Sequence, residues 1–105
     1  MKMKIAVLGG DGTIGRKIVS EAQKRGHEVH SLSLSTGVDV MNLELLTESL
    51  KNIDTVIDVL KINSLFKRSA LFIFTPQIFK WSKLDHFLIY NHYIKRKKSQ
   101  EALEV

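Results

Sequence analysis

The chain has 105 residues, 44% of them hydrophobic and 26% charged, with six glycines, one proline and no cysteine. That balance describes one globular domain, residues 1–105, with a single core and little room for a second domain carrying its own substrate site. The missing cysteines exclude disulfides, a thiolate nucleophile and every cysteine-bound zinc or iron-sulfur centre.

Four histidines remain as possible metal ligands, His27, His30, His86 and His92. Their spacing matches no ligand motif, so they read as solvated or core residues and no metal site is expected. The net charge of +5 is uneven: residues 1–60 carry seven Lys/Arg against eight Asp/Glu, and residues 61–105 carry nine against three. The opening Met1-Lys2-Met3-Lys4 precedes only four apolar residues before glycines begin. A secretory core needs about 7 to 15 apolar residues and a membrane span about 18, so a soluble cytoplasmic protein without membrane contact is expected.

Ile5 to Leu8 is a continuous apolar run cut off by Gly9-Gly10-Asp11-Gly12, the pattern of a strand buried on both faces that enters a tight turn. From Thr13 the period becomes helical, with Ile14, Ile18, Val19 and Ala22 on one face and Gly26 as the stop. His27 to Leu34 alternates as a second strand, and Val38-Asp39-Val40 suggests a small third. Asn42 is suited to cap a helix from Leu43 to about Lys51. Asp54 to Leu60 reads as a fourth strand and Ser64 to Ser82 as a helix broken at Pro76. Phe87 to Tyr90 reads as a fifth strand and His92 to Leu103 as a terminal helix. The expected fold is α/β: a three-layer Rossmann-like domain with a parallel sheet of about five strands in the order 3-2-1-4-5.

Gly9, Gly12 and Gly15 form G-x-x-G-x-x-G between the first strand and the first helix. In that context Gly9 permits the turn, Gly12 lets the backbone approach a pyrophosphate and Gly15 lets the helix pack closely on the sheet. The free N–H groups and partial positive charge of the helix N-terminus complete a phosphate site.

Ile5-Ala6-Val7-Leu8-Gly9-Gly10-Asp11-Gly12-Thr13-Ile14-Gly15, the later Gly37-Val38-Asp39-Val40 and Asp54-Thr55-Val56-Ile57-Asp58-Val59 resemble the NmrA-like atypical short-chain dehydrogenase/reductases. The resemblance implies NAD or NADP bound on a Rossmann fold, in a chain shortened relative to the family to roughly its cofactor half. By that resemblance Gly9, Asp11, Gly12, Thr13 and Ile14 line the pyrophosphate, and Ser33, Leu34 and Ser35 lie beside the adenosine ribose. Asp39 and Val40 would meet adenine, and Val59, Leu60 and Lys61 would pass under the nicotinamide side. An acid after strand two would select NAD and an arginine NADP. Ser33 and Leu34 stand there instead, which predicts little preference, with Arg16 and Lys17 leaning toward the phosphorylated form.

The family's Tyr-x-x-x-Lys pattern is matched by Tyr93 and Lys97, which would share a helix face as the catalytic pair. A neighbouring ammonium favours tyrosinate and so equips the tyrosine for proton exchange with a carbonyl or hydroxyl. Where the family commonly has a serine beside the substrate carbonyl, Tyr90-Asn91 stand. Two readings follow: a cofactor-binding or redox-sensing module with weak or no catalysis and a protein partner, or an NAD(P)H-dependent oxidoreductase acting on a small carbonyl or quinone. The Lys95-Arg96-Lys97-Lys98 run is also suited to nucleic-acid phosphates, but no recognition motif accompanies it and a solvated helix face is the simpler reading. A sheet ending at Phe87 to Tyr90 would leave an open edge. Together with the apolar 64–82 segment, this edge predicts a homo-oligomer.

Overall fold

The computed structural model describes residues 2–60, 72–76 and 81–104. Its elements run β1 (Lys4–Leu8), α1 (Thr13–Lys24), β2 (Glu28–Leu32), a 3₁₀ turn (Leu34–Thr36), α2 (Leu43–Ser49), β3 (Thr55–Asp58), β4 (Phe72–Phe74) and α3 (Lys83–Glu104). The sheet order is β2-β1-β3-β4. β1 lies parallel to β2 and to β3, with Ala6 opposite both His30 and Val56, whereas β4 runs antiparallel to β3 with Ile73 opposite Ile57.

β1 is apolar from Ile5 to Leu8 because both its faces are covered there. Ile5 and Val7 pack on one side with Ile18, Val19 and Ala22 of α1. Ala6 and Leu8 pack on the other with Leu46 and Leu50 from the α2 region and Ile89 and Tyr93 of α3. Helices therefore cover both faces of the sheet, as an α/β chain with parallel β-α-β connections requires.

Four sequence expectations change. The sheet has four described strands and is mixed, because the strand after β3 returns antiparallel instead of crossing over.

Val38-Asp39-Val40 is not a strand. Ser33 binds Thr36 in a capping box, Val38 N donates to the Ser33 carbonyl at 2.9 Å, and Met41 N donates to Asp39 Oδ1 at 2.9 Å. Backbone donors used locally in this way are withdrawn from a sheet ladder.

Phe87 to Tyr90 lies inside α3. Ser82 and Asp85 begin that helix reciprocally: Asp85 N donates to Ser82 Oγ at 3.2 Å and Ser82 N to Asp85 Oδ2 at 2.8 Å. His86, Ile89 and Tyr93 then turn inward while Leu84, Phe87 and Leu88 stay exposed. The open edge expected at Phe87 to Tyr90, and the self-association built on it, lose their basis. Within the 64–82 segment β4 occupies part of the expected helix; 64–71 and 77–80 lie outside the described residues.

No helix among the described residues is long and apolar enough to cross a membrane. Their histidines are dispersed: His27 Nδ1 accepts from Met3 N at 3.1 Å, His30 pairs with Glu28, His92 approaches Asp58, and His86 lies against Trp81.

His86 carries a stability consequence. It is 4% exposed, and neither ring nitrogen has a hydrogen-bond partner among the described residues. Burial lowers its pKa from the usual imidazole value, with nearby Asp85 opposing. The unfolded chain therefore takes up a proton near pH 6.5 that the folded chain resists, so this contribution is complete above about that pH and is lost as the pH falls. Denaturant melts at pH about 7 and about 5.5 are expected to show a loss of stability that His86→Leu reduces. An equal loss in the variant would contradict the assignment.

Candidate functional site

β1, β2 and β3 all end toward the same side of the sheet, at Gly9, Ser33 and Val59. In an open α/β sheet the carboxyl ends of the strands are where ligands bind. The chain turns at Gly9, whose φ of +84° suits glycine, and its N–H donates to the Leu32 carbonyl at 2.9 Å. α1 then starts with Gly12 as N-cap and has neither a side-chain cap nor an acid in its first turn. Its leading N–H groups are consequently available to an anion.

The three motif glycines differ in what they require. A Cβ at Gly15 would collide with the Gly9 carbonyl oxygen and come within 2.8 Å of Gly10 Cα, so close packing of α1 on the turn demands glycine. A Cβ on Gly9 would lie 3.1 Å from Leu60, which follows β3 and closes against the turn. Gly12 has φ −76° and ψ 174°, a conformation open to any residue, and a Cβ there would meet only the Gly9 carbonyl oxygen, at 3.4 Å. Neither backbone conformation nor internal packing asks for glycine at 12. What a side chain would fill is a recess of about 280 Å³ bounded by Gly9, Asp11, Gly12, Thr13, Ile14, Gly15, Val59 and Leu60. These residues fit the diphosphate of a dinucleotide.

A second recess, about 230 Å³, shares Leu60 with the first and is bounded by Ser33, Leu34, Val38, Asp39, Val40, Met41, Tyr93 and Lys97. The two recesses gather nearly all the site residues read from the sequence. Ser35 is tied to them through Asp11, and Lys61 lies outside the described residues. Tyr93 sits well inside α3 rather than at a helix start. It is fully buried in the core, while Lys97, one turn further on, is exposed.

Two contacts were missing from the sequence reading. Asp11 is bonded to Ser33 and Ser35, more than twenty residues away. Asp58 is fully buried at the end of β3, accepts from Leu60 N at 3.0 Å, and has His92 Nε2 3.8 Å from its other oxygen. Its carboxylate shapes the Val59-Leu60 corner that faces the glycine turn. An acid between Ile57 and Val59 was the available signal, since a buried carboxylate needs partners. A larger recess of about 580 Å³ opens at the opposite end of the sheet, among Lys2, Lys4, Lys51, Asp54, Trp81 and His86. It lies where the strands start, away from the glycine turn.

A glycine turn that leads from a parallel strand into an uncapped helix is the phosphate-binding arrangement of nucleotide-binding α/β proteins. The chain is similar to photosystem II assembly factor Ycf39 of Synechocystis sp., with 37% identity over 70 residues, covering 53% of this chain and 22% of that protein. The chain thus spans less than a quarter of the length of that relative. No family model matches the chain, and no solved structure matches it significantly.

Proposed function

We propose that the chain is a nicotinamide-dinucleotide-binding module of the NmrA-like type, serving as a cofactor carrier or redox sensor with weak or no turnover of its own. Gly12 carries the reading: glycine stands where the protein itself has no need of it and where a side chain would occupy the phosphate recess. The amides of Thr13, Ile14 and Gly15 would hold the diphosphate, with α1's dipole adding to the attraction. The loop from Val38 to Met41 would take the adenine side. The bound nicotinamide would supply a hydride donor or acceptor. Assembly with a protein partner fits a sensor, and the similar cyanobacterial protein is named as an assembly factor.

The burial of Tyr93 supports weak catalysis. A proton donor must come within hydrogen-bond reach of the reacting oxygen, and Tyr93, although its atoms border the second recess, has no solvent-accessible surface and serves as a core side chain between α3 and the sheet. Lys97 is exposed and could only act through it. The serine that the resembled family commonly sets beside the substrate carbonyl has no counterpart at Tyr90-Asn91, which lie inside α3, and loss of such a donor is worth about a hundredfold or more in such sites. A panel of quinones, aldehydes and ketones with NADH and NADPH is expected to show no turnover above the rate without protein. Vigorous NAD(P)H oxidation that vanishes in Tyr93→Phe would establish the oxidoreductase reading instead.

A further inference from the structure

The dinucleotide reading leaves open which dinucleotide is bound, and the turn that cradles the diphosphate also holds a group able to decide it. β2 is followed by Ser33 and Leu34, neither an acid nor an arginine. The structure brings a carboxylate to that place from elsewhere in the chain. Asp11 Oδ2 accepts hydrogen bonds from Ser35 Oγ at 2.6 Å and Ser33 Oγ at 3.2 Å, and the two hydroxyls lie 2.7 Å apart. Asp11 bounds the first recess and Ser33 the second, so their bond marks the junction between them. A dinucleotide with its diphosphate in one and its adenine in the other would pass its adenosine ribose across that junction.

We propose that Asp11 is the specificity residue of the site, accepting a hydrogen bond from the ribose 2′-hydroxyl of NAD(H) and repelling the 2′-phosphate of NADP(H). This rests on the dinucleotide reading and refines it. Both serine bonds end on Oδ2, which leaves Oδ1 without a described partner and able to accept from the ribose. The Ser35 bond, assisted by Ser33 and Arg16, holds the carboxyl below its usual range, so the group is an anion at neutral pH. A 2′-phosphate brings a charge of about −1.5 to −2 to the same place.

Arg16 is the opposing group. Its Nε donates to the Asp11 backbone carbonyl at 3.1 Å, which tethers it to the turn and tempers the repulsion. The serines at the end of β2 hold the carboxylate at the junction that the ribose would cross. The proposal thus expects a preference for NAD where the sequence alone predicts little preference or a lean toward NADP.

The experiment is a set of binding titrations of the full chain with NADH, NADPH, ADP-ribose and 2′-phospho-ADP-ribose, followed by heat or intrinsic fluorescence. The unphosphorylated member of each pair is expected to bind about tenfold more tightly or better. Asp11→Asn keeps an oxygen for the serines and removes the charge, and should bring the two affinities within about threefold, mainly by strengthening the phosphorylated ligands. Equal or tighter binding of the phosphorylated ligands by the unaltered chain would overturn the role of Asp11 while leaving the dinucleotide reading intact. So would an unchanged ratio in Asp11→Asn. If none of the four ligands binds the unaltered chain, the dinucleotide reading itself fails and the inference with it.

Discussion

Replacing Gly12 with valine is expected to abolish dinucleotide binding and to leave the fold in place. The backbone at Gly12 is extended and allowed for valine, and its first side-chain carbon would meet nothing closer than the Gly9 carbonyl oxygen at 3.4 Å. Valine is a poorer N-cap than glycine, a cost of about 1 kcal/mol or less. Against that small penalty, a branched side chain in the recess would hold a diphosphate away from the first-turn amides and remove its main anchor. Circular dichroism melts paired with NADH titration check both halves. Binding that survives in a folded Gly12→Val protein would contradict the assignment of the recess.

Gly15→Ala should do the reverse and damage the fold first. The added Cβ would fall on the Gly9 carbonyl oxygen and press on Gly10 Cα at 2.8 Å, contacts with backbone that no side-chain rotation relieves. Alanine improves helix propensity by about 1 kcal/mol, but overpacking of this kind costs typically about 1–3 kcal/mol and sometimes more. Moving α1 off the turn would also strip packing from Ile18, Val19 and Ala22. A net loss of about 2 kcal/mol is a large fraction of the stability of a domain this size, about 5–15 kcal/mol. Urea titration should show a lower midpoint, and a Gly15→Ala midpoint equal to that of the unaltered chain would refute the close-packing argument.

The contrast between these glycines shows which parts of the molecule are legible without coordinates. The β1-turn-α1 unit is local: the apolar run, the glycines and the change to helical period sit within about twenty consecutive residues, and structure and sequence agree on it. α2 is equally local, with Asn42 accepting from Leu45 N at its start as the cap pattern implies.

The run Phe87-Leu88-Ile89-Tyr90 was ambiguous because four apolar residues fit a strand or a turn of helix. The deciding features lay outside it, in the Ser82-Asp85 cap and the inward spacing of His86, Ile89 and Tyr93. Val38 to Val40 has the composition of a strand, but its amides are claimed by the Ser33 turn and by Asp39, bonds invisible to an alternation pattern.

Functional residues follow the same division. The glycine-turn side of the first recess, Gly9 to Gly15, could be read because those residues are neighbours in sequence. The link from Asp11 to Ser33 and Ser35 could not, since it depends on how β2 emerges beside the turn. Tyr93 and Lys97 were found by spacing, yet spacing carries no information on burial. The core position of Tyr93 follows from α3 packing against β1 and β3 through Ile89 and Tyr93 itself.

The claim that the carboxyl ends of β1, β2 and β3 form a dinucleotide site is tested most directly by amide chemical-shift mapping of the full chain titrated with NADH. Saturable shifts are expected at Gly9 to Gly15, at Ser33 to Ser35 and at Val59 and Leu60. Shifts confined to the opposite end of the sheet, around Lys2 to Lys4, Lys51 to Asp54 and His86, or no saturable shifts at all, would contradict it.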